Sequence, residues 1–154
     1  PLQSKLRPIQ PNHLIIKYTS YKMFKSFVIG ILLICGVKSL TEEQIQLMNS
    51  LHSECVGQTG VAEDVIAKAK EGTFADDNAL KCYMKCVLDE VGIIGDDGKI
   101  DIEGALAIVP EELKDIATPV MTKCGTQDGS DLCDSIFNTL KCYYESDKRA
   151  FFLP

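Results

Sequence analysis

The sequence is poor in histidine, the residue that most often carries acid–base chemistry near neutral pH. It has two histidines among 154 residues, and only His52 follows Leu40. His52 falls on the apolar face of a predicted helix, where a hydrogen-bonded structural histidine is the expected role. No nucleophile–histidine–acid arrangement and no glycine-rich phosphate-binding loop can be assembled from the remaining residues. The sequence therefore argues against an enzyme, a secreted hydrolase included.

Acidic residues are absent before Glu42, and basic residues are few after Leu40. All 22 Asp and Glu residues and ten of the 16 Lys and Arg residues lie within residues 40–154, which gives this segment a formal charge of −12. Such a surface repels phosphate groups and anionic lipid headgroups. The charge excludes nucleic acid and membrane surfaces as expected partners, and it keeps a protein soluble at high concentration.

No apolar run reaches the ~20 residues that a membrane-spanning helix needs. The most apolar run, Phe27–Val37, follows Lys25, and the small or β-branched residues Val37 and Ser39 lie three and one residues before a cleavage point ahead of Leu40. This order is typical of a secretory signal peptide, which we predict over residues 23–39, with cleavage after Gly36 or a buried core helix as the alternatives. We expect residues 1–22 to be an upstream, extraneous and disordered segment. Residues 40–154 are predicted to be the folded helical domain.

The seven cysteines contain no C-x2-C pair, the spacing typical of zinc sites. Cys35 lies in the predicted signal peptide, and the other six have the spacing C-x26-C-x3-C-x37-C-x8-C-x8-C. An even number of cysteines in a small secreted domain predicts three disulfides rather than a metal site. The sequence alone leaves the pairings open. Because Cys82 and Cys86 share one helix face, we expect them to join two different partners and to fix one central helix to two neighbours.

Hydrophobic periodicity and capping residues predict six helices and no strand. The polar turn over residues 95–100 lacks acidic side chains where a calcium loop requires its ligands, so we predict no calcium site there. The predicted helices run from Thr41 to Gly57 or Gly60, from Val61 to Lys70, from Asp76 or Asp77 to about Val91, from Asp101 to Ile108, from Pro110 onward with a kink at Pro119, and from Ser130 or Asp131 to about Tyr144.

The third predicted helix has two chemically different sides. Leu80, Met84 and Leu88 recur four residues apart and form an apolar stripe, whereas Cys82 and Cys86 lie on another side. Such a helix is covalently anchored on one side and apolar on the other. Ordinary core packing explains any one of these residues, and an apolar binding cavity explains the continuous stripe.

The cysteine spacing and the motifs around it resemble the six-cysteine insect odorant-binding protein family across residues 40–154. The motifs are KCYMKC over residues 81–86, GKID over residues 98–101 and KCY over residues 141–143. The upstream segment and the additional Cys35 depart from the family pattern. The resemblance implies an all-α fold of six short helices around an enclosed apolar cavity, stapled by three interlocked disulfides. The implied pairs are Cys55–Cys86, Cys82–Cys133 and Cys124–Cys142.

The inward helix faces and the resemblance together predict the ligand-binding residues. The resemblance implies that a short apolar tail closes the cavity as a lid, and we expect Phe151 and Leu153 to do this. We also expect the Tyr143 hydroxyl to bind a polar ligand head. The predicted lining residues are Leu47, Met48, Leu51, Met84, Leu88, Ile93, Ile100, Ile102, Leu106, Ile116, Ile136, Leu140 and Tyr143.

The resemblance implies a secreted carrier that transports odorants, pheromones or similar lipophiles through aqueous lymph, with neither cofactor nor metal. The expected partners are the small hydrophobic ligand and, beyond it, a membrane odorant receptor or a second copy in a homodimer. Two other functions fit the sequence. One is a non-sensory lipophile carrier on the same fold, which the tissue of expression would separate. The other is a secreted disulfide-rich protein-interaction scaffold, which would lack an internal cavity.

Overall fold

Helices dominate the part of the chain that the computed structural model describes, residues 41–154. The predicted signal peptide over residues 23–39 and the predicted segment 1–22 lie outside the described residues. Within residues 41–154 the only strand-like pairing is a single bridge between Ile94 and Ile100. The helices are α1 (Glu42–Thr59), α2 (Glu63–Lys70), α3 (Asn78–Glu90), α4 (Ile102–Ile108), α5 (Glu111–Cys124), α6 (Leu132–Ser146) and a short 3-10 helix (Lys148–Ala150).

Side-chain caps fix where four of the helices begin. Thr41 forms a reciprocal capping box with Gln44: the Thr41 hydroxyl accepts from the Gln44 backbone N–H at 3.2 Å, and the Gln44 side chain accepts from the Thr41 backbone N–H at 2.9 Å. Asp77, Asp101 and Asp131 each accept a backbone N–H three residues ahead and begin α3, α4 and α6. Each of these starts agrees with the predicted boundary or with one of its two alternatives.

Two helix boundaries differ from the sequence-based expectation. The second helix begins at Glu63 instead of Val61, because Ala62 has an extended backbone and is the N-cap. α6 continues to Ser146, two residues past the predicted end. Pro119 lies inside α5, which continues to Cys124. None of the helices within residues 41–154 combines the length and apolar character needed to cross a membrane.

α3 is the central helix of this fold, and it packs most extensively against α6 and then against α1. Leu80, Tyr83 and Met84 of α3 are fully buried, as is Ile136 on the facing side of α6. Burying a large apolar side chain contributes about 1.5–3 kcal/mol, so this stripe is a main source of stability. Leu88, the third residue of the predicted stripe, is partly buried against the same core.

Three disulfides connect the helices around α3. Cys55–Cys86 joins α1 to α3, Cys82–Cys133 joins α3 to α6, and Cys124–Cys142 joins the end of α5 to α6, with Cα–Cα distances of 5.7, 4.7 and 6.0 Å. These are the pairs that the resemblance implies. As expected from their spacing, Cys82 and Cys86 reach two different helices. The bonds interlock, because each begins inside the loop that the preceding one closes.

Gly129 is required by a close backbone approach just before α6. A Cβ atom at this position would overlap the backbone of Asp134 and Ser135. We expect Gly129→Ala to lower the free energy of unfolding by about 1–3 kcal/mol, because the start of α6 would have to move. Gly57 in α1 has open space around it, so Gly57→Ala should raise stability by about 0.5–1 kcal/mol. Urea unfolding of both variants tests this, and equal effects would contradict it.

Candidate functional site

Most of the predicted lining residues converge on one core. Those partly buried against it are Leu88, Ile102, Leu106 and Phe151. Those buried in it are Met84, Ile93, Ile100, Ile136, Leu140, Tyr143 and Leu153. Met48 and Ile116 are partly buried and Leu51 is buried, but within residues 41–154 none of these three belongs to that core.

Leu47 does not belong to this group, because its side chain is 53% exposed. The reason is the length of α1. At about 1.5 Å per residue, its 18 residues extend further than the 13 residues of α3, and the Cys55–Cys86 disulfide ties the C-terminal half of α1 to α3. The first turns of α1 are therefore exposed, and full burial in this helix begins at Leu51.

The predicted ligand-binding set leaves out several buried members of the core. Leu80 lies four residues before Met84 on the apolar stripe predicted from the sequence, whereas Tyr83 and Phe137 are adjacent to predicted residues but lie on other sides of their helices. Tyr83 is the most consequential omission, because it is fully buried and carries a polar group. Besides the disulfide-bonded cysteines, the buried residues outside the predicted set are Val61, Ile66, Ala69, Leu80, Tyr83, Val87, Ala105, Ala117, Val120, Met121, Phe137 and Thr139.

Tyr143 places a polar group in the apolar core. It continues the buried stripe of Ile136 and Leu140 along α6, and only 3% of its surface is exposed. Within residues 41–154 its hydroxyl is buried and has no hydrogen-bond partner. Burial raises the pKa of Tyr143 to about 12, so the phenol is protonated and able to donate at neutral pH.

The tail segment, residues 148–154, lies across this core. After the 3-10 helix, successive side chains face the core and the solvent alternately, as in an extended chain. Phe151 makes edge contacts with Phe74 and Tyr144, each with ring centroids 5.5 Å apart. Phe152 is 62% exposed, and Leu153 is 5% exposed and packs in the core. Phe151 and Leu153, which the sequence analysis expects to close the cavity as a lid, both pack against the core.

Tyr83 and His52 hold the far end of the tail segment. The Tyr83 hydroxyl donates to the Pro154 carbonyl at 2.9 Å, and His52 Nδ1 lies 2.9 Å from the Tyr83 hydroxyl and 3.2 Å from the same carbonyl. His52 Nε2 lies 3.0 Å from Glu63 Oε1. Burial, and then the negative charge of Glu63, raise the pKa of Tyr83 to about 12. His52 is thus the hydrogen-bonded structural histidine that the sequence predicts.

Asp147 anchors the near end of the tail segment. It accepts hydrogen bonds from the Arg149 backbone at 3.0 Å and from the guanidinium at 2.6 and 3.0 Å, and these bonds lower the pKa of Asp147 to about 2. This value lies below that of an unfolded Asp, about 3.9. The carboxylate therefore stabilises the segment above pH ~4, and the contribution disappears as the pH falls toward 2.

We accordingly expect Asp147 to keep the tail segment anchored between pH 7 and 5 and to release it only in stronger acid. Hydrogen exchange of the tail amides as a function of pH measures this directly. Asp147→Asn should make exchange faster at pH 7 and remove the step in strong acid. A step near pH 5 in the wild type that is absent from Asp147→Asn would contradict the assignment.

A concavity lies beside two of the disulfides, Cys55–Cys86 and Cys82–Cys133. It is an open groove of about 290 Å³ lined by Gln58, Thr59, Lys85, Asp89, Glu90 and the cysteines Cys82, Cys86 and Cys133. Its polar and oppositely charged lining differs from the apolar core, and it contains none of the predicted ligand-binding residues. Across residues 41–154 no group of three His, Cys, Asp or Glu side chains could hold a metal ion.

Comparison with known proteins assigns this architecture to a family. The sequence model of the PBP/GOBP family matches residues 37–146, which include all six disulfide-bonded cysteines. The chain belongs to the PBP/GOBP family. Membership in this family of odorant-binding proteins indicates a carrier of small hydrophobic ligands.

Individual relatives of this PBP/GOBP-family chain agree in sequence and in structure. General odorant-binding protein 69a of Drosophila melanogaster is 35% identical over 100 residues, which cover 64% of this chain and 68% of the relative. The crystal structure of the medfly odorant-binding protein CcapOBP22/CcapOBP69a has 37% identity and a TM-score of 0.60, covering 65% of this chain and 87% of that one. The fatty acid binding protein OBP56a from the oral disk of the blowfly Phormia regina has 27% identity and a TM-score of 0.57, with coverages of 70% and 95%.

Proposed function

We propose that this protein is secreted and carries a small lipophile, an odorant, pheromone or similar molecule, in the apolar core between α1, α3, α4, α5 and α6. The observation that carries the proposal is the convergence of apolar side chains from separate helices on one core that the tail segment covers. The relation to the blowfly fatty acid binding protein supports a lipophilic ligand. The net charge of residues 40–154 supports solubility in an aqueous fluid and a cargo held inside the protein rather than on a membrane surface.

The expected affinity follows from the area that a ligand buries. A ligand with about 300 Å² of apolar surface gains about 7 kcal/mol at 25 cal/mol per Å². Loss of ligand freedom reduces this gain, and ordered packing against aromatic and sulfur-containing side chains such as Met84 adds to it. Micromolar dissociation constants are the result.

We further propose that the tail segment acts as the lid of the cavity. Leu153 contributes apolar contact to the core, and the Pro154 carbonyl accepts a hydrogen bond from Tyr83. Opening this segment breaks both interactions, so the lid sets the rate at which ligand leaves. A membrane odorant receptor would receive the ligand after its release, and a homodimer of this chain would carry the ligand before release. Neither requires a change in the site itself.

Displacement of a hydrophobic fluorescent probe from the oxidised protein by volatile alcohols, esters and aldehydes tests the carrier function. Saturable binding of the probe and its displacement at micromolar concentrations are expected. Met84→Trp should reduce binding by filling the core, whereas Leu47→Trp, on the exposed face, should not. If a folded protein binds no probe, or if both variants behave alike, the core is not the binding site.

A further inference from the structure

Tyr143 differs from the two other tyrosines of the described region in its hydrogen bonding. The Tyr83 hydroxyl donates to the Pro154 carbonyl, and the Tyr144 hydroxyl donates to the Glu71 carbonyl at 3.0 Å. The Tyr143 hydroxyl is buried and has no partner within residues 41–154. Buried polar groups are nearly always hydrogen-bonded, because an unsatisfied one forfeits its hydration. This hydroxyl is therefore a donor for a group that the polypeptide does not supply.

The charge around the core decides which kind of oxygen can accept from Tyr143. Among residues 41–154 no Lys or Arg side chain is buried. Lys81 has a side chain only 17% exposed, but it is already paired with Asp76 and Asp134. An ionised carboxylate placed beside Tyr143 would lose its hydration without gaining a cation. A neutral oxygen incurs no such cost, and the protonated phenol can donate to it.

We propose that the Tyr143 hydroxyl donates a hydrogen bond to a neutral oxygen of the ligand, so that this carrier selects ketones, aldehydes and esters over hydrocarbons and over ionised fatty acids. The selection rests on the proposed function, because it requires that the ligand occupy the core. It extends that function by naming the ligand class. It also separates this chain from a carrier whose ligand is a carboxylate.

A matched set of ligands measures the hydrogen bond separately from the apolar contact. Undecane, 2-undecanone and undecanoate have the same number of carbons and differ in the polar group. At pH 7 the wild type should bind 2-undecanone about five- to tenfold more tightly than undecane, the value expected for one hydrogen bond, and undecanoate more weakly than the ketone. In Tyr143→Phe, which removes only the hydroxyl, the ketone should lose its advantage while undecane binds as before.

The outcomes distinguish the inference from the carrier function on which it rests. Persistence of the ketone advantage in Tyr143→Phe, or equal affinities for all three ligands in the wild type, would overturn the role of Tyr143 and leave the carrier function standing. Failure of all three ligands to bind the folded wild type would overturn the carrier function and the inference together.

Thermal unfolding without ligand gives an independent test. Removing an unsatisfied buried hydroxyl relieves its desolvation cost, so Tyr143→Phe should raise the melting temperature by a few degrees. Tyr144→Phe removes a hydroxyl that does have a partner and should lower the melting temperature or leave it unchanged. A lower melting temperature for Tyr143→Phe would mean that the ligand-free protein already satisfies the hydroxyl, and the inference would be wrong.

Discussion

Replacing Cys82 and Cys133 together with alanine is expected to lower the free energy of unfolding by about 4 kcal/mol. The bond joins residues 51 apart, so its loss frees a long segment of the unfolded chain. It also joins α3 to α6, the two helices with the most extensive packing. A domain of this size has a total stability of about 5–15 kcal/mol. The variant should therefore be marginally folded and should lose most of its ligand affinity.

Cys124 and Cys142 provide the matched control, because their bond closes a segment of 18 residues between α5 and α6. The same chain-entropy argument gives a loss of about 3 kcal/mol for the double alanine variant. Urea unfolding of the two variants, with the remaining disulfides verified by mass spectrometry of capped thiols, gives the comparison. A larger loss for the Cys124–Cys142 variant would show that strain or residual structure, rather than loop length, decides these contributions.

Local signals predicted most of the fold. Thr41, Asp101 and Asp131 act as N-caps through hydrogen bonds that span three residues. Such caps can be recognised from a few neighbouring residues of the sequence. The start of α2 was predicted two residues early because Val61 fits a helical pattern equally well. The extended backbone of Ala62 makes it the N-cap instead, and a hydrophobic pattern does not fix a helix end to the residue.

The candidate site was predictable to the extent that it depends on helix faces. Met84 and Leu140 follow from periodicity alone, and both are buried. Leu47 satisfies the same periodicity but lies on the exposed first turns of α1, so helix length rather than helix face decides its exposure. The bond from Tyr83 to the Pro154 carbonyl joins positions 71 residues apart. No spacing rule connects two such positions, and only the folded chain brings them together.

Leu153→Ala is expected to make ligand leave about thirtyfold faster or more. Leu153 is buried in the core although it belongs to an extended segment with no helix to support it. Truncating a buried leucine to alanine costs about 2–5 kcal/mol, and at this position the loss falls mainly on the closed state of the tail segment. Each 1.4 kcal/mol is a factor of about ten in the equilibrium between closed and open forms. Stopped-flow dilution of a bound fluorescent probe measures the release rate.

Phe152→Ala is the control for this variant, because it removes a larger side chain from the adjacent position, which is exposed. Its release rate should stay within about twofold of the wild type, since exposed substitutions change stability by about 0.5 kcal/mol or less. Tyr83→Phe, which loses the hydrogen bond to the Pro154 carbonyl but keeps the ring, should lie between the two, at about fivefold. This order follows only if the segment closes the core by inserting Leu153. Equal rates in Leu153→Ala and Phe152→Ala would mean that ligand leaves by a route that the tail segment does not control.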